Sequence, residues 1–109
     1  MNLFIQEAAE RDILLQVSWY AERGVPEIAR RFHAAVMAAI DVLTGMPAAA
    51  PPRPTRNRLL AGLRAWPVTG FDEFRVYYLD RPERLTIVRV LHDKRDTTAI
   101  LARQALEAP

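Results

Sequence analysis

The sequence has 109 residues, of which 50% are apolar, and its formal net charge is +2, so we expect one domain over residues 1–109 with a single modest core. No apolar run approaches the ~20 residues that a membrane span needs. The N-terminus lacks a signal-peptide pattern, so we expect a cytoplasmic protein with no membrane partner. The absence of cysteine excludes disulfides, a thiolate nucleophile and cysteine-based zinc sites. The two histidines stand far apart without an acidic ligand set, so neither a metal nor a cofactor is expected.

The N-terminal part predicts a strand followed by two helices. "NLFIQ" is short and apolar, as in a strand, and the apolar spacing from about Glu7 to Arg23 is helical. Gly24 suits the left-handed end of that helix, and Pro26 suits the first turn of the next one. The apolar stripe of the first helix contains Ala9, Ile13, Val17 and Tyr20, and that of the second contains Ile28, Phe32, Ala35, Val36, Ala39 and Leu43. Together they predict an αα-hairpin.

A proline-rich segment then precedes strands. "TGMPAAAPPRPTRNR", Thr44–Arg58, predicts a loop because its prolines and glycine interrupt regular structure. Leu63–Val68, Phe74–Leu79 and Leu85–Leu91 are strand-like and are separated by turn-rich connectors, which predicts an antiparallel meander. The third segment is apolar on both faces except for Arg89, which is typical of a central strand.

The chain closes on a predicted short helix, "TAILARQAL", with Asp96 or Thr97 as its N-cap. The predicted fold class is therefore α+β: an N-terminal strand, an αα-hairpin, an antiparallel three-stranded meander and a short C-terminal helix.

Basic residues are unevenly placed. Between Val42 and Phe71 there is no acid, whereas Arg53, Arg56, Arg58 and Arg64 all lie there. The predicted strands contain three arginines, Arg64, Arg75 and Arg89. Each of these arginines, taken alone, is explained by a solvated position or by an ion pair with a nearby acid. As a set they favour guanidinium groups that converge on one concave surface and bind phosphate or an acidic partner.

The aromatic residues allow two interpretations. They could stack on nucleic-acid bases, but helical and strand alternation explains most of them as core, with Trp66 the least certain. The set consists of Trp19, Trp66, Phe74, Tyr77 and Tyr78.

"RVLHDKRD", Arg89–Asp96, concentrates charge directly after the third strand. His92 with Asp93 or Asp96 suggests acid–base chemistry. However, the nearby hydroxyls, Thr97 and Thr98, belong to the predicted helix start, and a histidine satisfied by a backbone carbonyl is the simpler interpretation. An exposed turn at a strand end suits recognition. We interpret His92–Arg95 as a docking surface.

These motifs together resemble a known family. "ERDILLQVSWYAERG", "LLAGLRAWPV", "FDEFRVYY" and "TIVRVLHDKRD" resemble the RelE/ParE superfamily of bacterial type II toxins, in the same element order from Leu3 to about Leu101. The resemblance implies a small toxin that is neutralised by a cognate antitoxin, whose extended and helical tail wraps the toxin. It leaves open a dimer or a heterotetramer with the antitoxin.

The superfamily contains two activities. RelE-like members cut messenger RNA on the ribosome, and for them the resemblance implies Arg75 and Arg95 as phosphate-binding residues and His92 as the proton-transfer residue. The region of their lysine pair offers only Arg64 here, and the position of their C-terminal tyrosine is Leu101, which cannot transfer a proton.

The "RVLHxxRD" ending resembles the ParE branch, which implies a non-enzymatic toxin that binds DNA gyrase. The alternative is a ribosome-dependent endoribonuclease, and only that alternative implies direct nucleic-acid binding. The expected target-binding basic surface consists of Arg64, Arg75, Arg89, His92, Lys94 and Arg95.

Overall fold

The computed structural model describes residues 2–108 and confirms the predicted α+β fold. The elements in chain order are β1 (Asn2–Ile5), α1 (Glu7–Glu22), α2 (Pro26–Gly45), a 3-10 helix (Arg58–Leu60), β2 (Arg64–Val68), β3 (Phe71–Asp80), β4 (Arg84–His92) and α3 (Thr97–Ala102). The three strands after the loop form the expected antiparallel meander.

One four-stranded sheet has the order β1-β4-β3-β2. β1 pairs with β4 in parallel, while β2 with β3 and β3 with β4 are antiparallel. β4 therefore lies between two strands, as its apolar faces predicted, because neither face of a covered inner strand meets solvent. Pro67 lies in β2, an edge strand of this sheet, where a residue without an N–H is tolerated.

The helical hairpin packs on one face of the sheet. Gly24 has a φ of 74°, the left-handed conformation expected between the helices, and Pro26 occupies the first turn of α2. The apolar stripes of both helices meet the sheet in a first cluster. Its buried members are Ala9, Ile13, Phe32, Val36, Ala39, Ile40, Leu43, Ala50, Val68, Phe74, Val76, Tyr78, Leu85, Ile87 and Val90.

A smaller second cluster covers the opposite face, beneath α3 and the 3-10 helix. The buried members are Leu60, Leu63, Tyr77, Leu79, Val88, Leu91 and Leu101. Asn57 fixes this layer, because its amide nitrogen donates to the carbonyl oxygens of Leu101 at 2.9 Å and Gln104 at 2.8 Å. The amide oxygen of Asn57 accepts the N–H of Leu59 at 3.1 Å. The loop after α2 is thereby tied to the C-terminal segment.

The final helix is shorter than predicted, since α3 ends at Ala102 and the expected pattern continued to Leu106. In the segment after α3, backbone polar groups form hydrogen bonds with distant residues instead of with a further turn of helix. The N–H of Glu107 donates to the side-chain oxygen of Gln6 at 2.9 Å, and Gln6 is 3% exposed. The C-terminal segment is therefore held against the end of β1 in a non-helical conformation.

Two other boundaries differ from the predictions by more than one residue. β3 begins at Phe71 instead of Phe74, because a tight turn at Gly70, whose φ is 83°, lets Phe71 pair with Val68. α2 continues to Gly45, so the loop begins at Met46.

Replacement of Phe32 by alanine tests the first cluster. The Phe32 ring is fully buried, and its centroid lies 5.2 Å from that of Phe71 and 4.9 Å from that of Phe74. We expect Phe32→Ala to lower the free energy of unfolding by about 3–5 kcal/mol in urea denaturation. Met37→Ala, on the same helix at a position 38% exposed, is the control and should cost less than ~1 kcal/mol. Equal losses in the two variants would contradict this packing.

Candidate target-binding surface

His92 ends β4 and is held from both ring nitrogens. Its Nε2 lies 2.7 Å from Oε2 of Glu73, and its Nδ1 accepts the backbone N–H of Lys94 at 3.0 Å. The ring also meets the Phe74 ring edge to face, with centroids 4.9 Å apart. Because Nδ1 accepts a hydrogen bond, we assign the proton to Nε2, which donates to Glu73.

These contacts correct the partners that the sequence suggested for His92. Asp96 caps α3 by accepting the N–H of Ala99 at 3.1 Å, and Asp93 lies 3.5 Å from Arg75. The carboxylate that contacts the imidazole belongs to Glu73, on the paired strand. The backbone group that satisfies the ring is an N–H and not the expected carbonyl.

The turn after β4 has a fixed backbone and exposed side chains. The N–H of Asp93 donates to the carbonyl oxygen of Glu73 at 2.7 Å, and the N–H of Arg95 donates to that of His92 at 3.1 Å. Lys94 and Arg95 are exposed, whereas His92 is only partly exposed. The turn therefore presents two cations from a backbone that neighbouring strands hold in place.

Arg89 forms a largely buried ion pair instead of an open cationic site. Its Nε and Nη2 donate to the two carboxylate oxygens of Asp12 at 2.7 Å each, and its Nη1 donates to Gln104 Oε1 at 3.0 Å. Asp12 also accepts the N–H of Val90 at 2.9 Å. The hydrogen bonds to Asp12 raise the pKa of the Arg89 guanidinium above its ordinary value, against the opposing effect of burial.

Arg64 lies on the helical side of the sheet. It pairs across the strands with Tyr78, a member of the first cluster, and its Nη1 donates to the carbonyl oxygen of Ala50. The N–H of Ala50 in turn lies 3.4 Å from the Tyr78 hydroxyl. Burial raises the pKa of the Tyr78 hydroxyl above its ordinary value. Arg64 thus fastens the loop after α2 to the sheet.

Arg75 lies on the other side. It pairs with Leu91, a member of the second cluster, and its Nε lies 3.5 Å from Asp93 Oδ1. Because neighbouring strand residues alternate between faces, Arg64 and Arg75 point away from each other, and Arg89 is enclosed against α1. The expectation that the three guanidinium groups converge on one surface is therefore wrong.

A groove runs between α1 and the ends of β3 and β4. It consists of two adjoining cavities of about 380 Å³ and 820 Å³, which share Gln16, Trp19, Phe74 and His92 in their walls. Arg95 and acidic side chains of α1 line the smaller cavity, and acidic side chains of β3 line the larger one. The cationic turn thus stands at the side of a groove with aromatic and acidic walls.

Trp19 is the groove residue that sequence reasoning missed. The sequence pattern favours a core position for this residue, but its side chain is 44% exposed, and the Arg23 guanidinium lies 3.9 Å from the centroid of its ring. Its position beside Tyr20, outside the α1 stripe, was the available signal. Phe74, Tyr77 and Tyr78 are buried as expected, and Trp66 is partly buried against the first cluster.

Comparison with known proteins agrees with this architecture. A family model described as the ParE toxin of the type II toxin-antitoxin system, parDE, matches residues 3–97. The chain belongs to the ParE toxin family. The match extends from β1 to the first residue of α3, so it includes the helical hairpin, the whole sheet and the cationic turn.

The ParE-like fold also appears among solved structures. A chain from the "Chromosomal ParDE TA system from P. aeruginosa" superimposes with a TM-score of 0.69 at 17% sequence identity. The alignment covers 84% of this chain and 95% of that chain, and at this identity it supports the fold alone. No curated protein sequence matches significantly.

Residues 2–108 of this ParE-family chain contain neither a candidate membrane-spanning helix nor a candidate metal site. None of the helices described there combines the length and apolar character needed to cross a bilayer. Within the same residues, no three or more histidine, aspartate or glutamate side chains form a group that could hold a metal ion.

Replacement of Asp12 by asparagine tests the buried pair. The variant keeps the side-chain shape but leaves the Arg89 charge without a carboxylate, so we expect the free energy of unfolding to fall by about 3–5 kcal/mol in urea denaturation. Glu7→Gln removes a carboxylate from an exposed pair with Arg11 and should cost less than ~1 kcal/mol. A loss for Asp12→Asn as small as that of the control would contradict a structural role for the pair.

Proposed function

We propose that this protein is the toxin of a type II toxin–antitoxin pair, that it inhibits growth by binding DNA gyrase without catalysis, and that a cognate antitoxin neutralises it. Membership of the ParE toxin family supports the first part of the proposal. The observation that carries the mode of action is the exposed cationic turn on a fixed backbone at the end of β4.

Charge favours the turn as a recognition surface. Among residues 2–108, neither Lys94 nor Arg95 has a carboxylate within 4.0 Å, in contrast to Arg75 and Arg89, which both do. Cations that are not neutralised by their own chain attract an acidic partner surface and orient it during encounter. The backbone hydrogen bonds of the turn reduce the entropy that binding would otherwise cost.

Catalysis receives less support from the same geometry. A nuclease of the RelE type would need Arg75 and His92 at one phosphate. Here His92 pairs with Phe74 of the first cluster, while Arg75 pairs with Leu91 of the second, so the two side chains leave the sheet on opposite faces. Leu101 is 7% exposed and has no ionisable group. These positions favour binding over acid–base chemistry.

An antitoxin is the natural cover for the helical hairpin. Leu14 and Leu15 are 64% and 65% exposed on α1, and Trp19 follows one turn later on the same helix. Neighbouring exposed apolar side chains of this size mark a surface for protein contact. The printed description of the solved relative as a ParDE toxin–antitoxin system supports a protein antitoxin as the partner.

The gyrase proposal predicts a loss of inhibition when the turn loses its cations. Purified gyrase should lose supercoiling activity when the wild-type protein is added. The Lys94→Ala/Arg95→Ala variant should need at least about tenfold more protein for half inhibition, because interface charges of this kind contribute 1–2 kcal/mol or more. Arg30→Ala/Arg31→Ala removes the same charge from α2 and should inhibit like wild type. Undiminished supercoiling at a large excess of wild-type protein would refute the proposal.

Messenger RNA from expressing cells separates binding from cleavage. We expect growth inhibition without discrete cuts in primer extension, and we expect co-expression of the antitoxin to restore growth. Discrete cuts that disappear in Arg75→Ala would instead support a ribosome-dependent endoribonuclease.

A further inference from the structure

A separate cavity lies on the face of the sheet that carries α3, away from the groove beside α1. Its volume is about 90 Å³, and it is enclosed by the loop after α2, by the first turn of α3 and by second-cluster residues at its base. The polar residues of its wall are Arg53, Thr55, Arg56, Tyr77, Thr97 and Thr98. Two of the four arginines of the acid-free segment, Arg53 and Arg56, thus line a defined pocket that the gyrase proposal does not use.

The loop that supplies the two arginines is anchored at both ends. The N–H of Arg53 donates to the carbonyl oxygen of Leu63 at 2.7 Å. Thr55 Oγ1 accepts the N–H of Asn57 at 3.1 Å, and Asn57 donates to the carbonyl oxygen of Leu101 behind α3. The Arg53 guanidinium lies over the Tyr77 ring, 5.7 Å from its centroid. The pocket is therefore shaped by fixed backbone, although both arginines are exposed.

The wall of the pocket is cationic. In the described part of the chain, Arg53 and Arg56 form no ion pair, and no aspartate or glutamate lines the cavity. Tyr77 lines the cavity and is only 3% exposed, and within residues 2–108 its hydroxyl makes no hydrogen bond to the protein. The hydroxyl oxygen is accessible to solvent, since the buried side-chain polar atom without a partner among the described residues is Nε of Arg64. An accessible hydroxyl in the wall of a cationic cavity can donate a hydrogen bond to a bound anion.

We propose that this pocket binds a single phosphate group, either inorganic phosphate or the terminal phosphate of a small monoester. Two guanidinium groups and four hydroxyls offer more donors than the two oxygens of a carboxylate can accept, whereas a phosphate monoester presents three charged oxygens in a tetrahedron. A volume of about 90 Å³ is far below the ~300 Å³ at which pockets for drug-sized ligands begin, so the cavity itself accommodates a phosphate group but not a whole nucleotide. The site is independent of gyrase binding, since it lies across the sheet from the His92 groove.

Ligand titrations of the full chain, followed by NMR at constant pH and ionic strength, test the site. Inorganic phosphate and methyl phosphate should each produce saturable shifts of the Thr97 and Thr98 backbone amides. Acetate and dimethyl phosphate, which carry fewer charged oxygens, should bind at least about tenfold more weakly. Equal affinity for dimethyl phosphate would point to a nucleic-acid backbone, and equal affinity for acetate to a carboxylate; either result would overturn the proposal.

Matched variants locate the binding. Arg53→Ala/Arg56→Ala should weaken phosphate binding about tenfold or more, because charge-assisted hydrogen bonds are lost. Arg31→Ala/Arg58→Ala removes the same charge from exposed positions outside the pocket wall and should change the dissociation constant less than twofold. Tyr77→Phe should weaken binding while the spectrum stays folded. Equal weakening in both double variants, or shifts that never saturate, would show that phosphate associates only with the net positive charge.

Discussion

The contact between Asp12 and Arg89 determines how the two halves of the molecule meet. One carboxylate on α1 accepts two guanidinium hydrogen bonds and the backbone N–H of Val90, while the third guanidinium contact holds Gln104 behind α3. This one group of polar contacts therefore joins α1, β4 and the C-terminal segment. Because a largely buried charge without its partner is costly, these contacts stabilise the observed arrangement of α1 against the end of β4.

That arrangement creates the groove beside the cationic turn. With α1 fixed next to β4, Trp19 faces the pair formed by Phe74 and His92, and the space between them remains open. The Glu73 contact with His92 adds a second link from β3, so the backbone at the start of the turn is restrained from both strands. The ion pair of Arg89 and the exposed position of Lys94 thus both depend on how β4 is held by its neighbours.

Sequence patterns predicted the elements better than they predicted the sites. Gly24, Pro26 and Asp96 act locally, through φ preference or capping within three residues, so their roles could be inferred from the chain alone. The direction of Arg64 and Arg75 depends on strand register, which shifts at irregularities beside Val68 and Tyr78. A shift of one residue moves a side chain to the opposite face. The partner of His92 likewise comes from a different strand, and no local pattern specifies it.

Leu101 has a structural role at a position where the nuclease hypothesis would require a proton-transfer group. A leucine there cannot transfer a proton, and its burial in the second cluster instead anchors α3 on the sheet. Asn57 holds the carbonyl group of the same residue, so side chain and backbone together fix the short helix. Thr97 and Thr98 stand at the other end of that helix, in the wall of the cationic pocket. Burial of Leu101 therefore fixes the helix whose first turn forms one wall of that pocket.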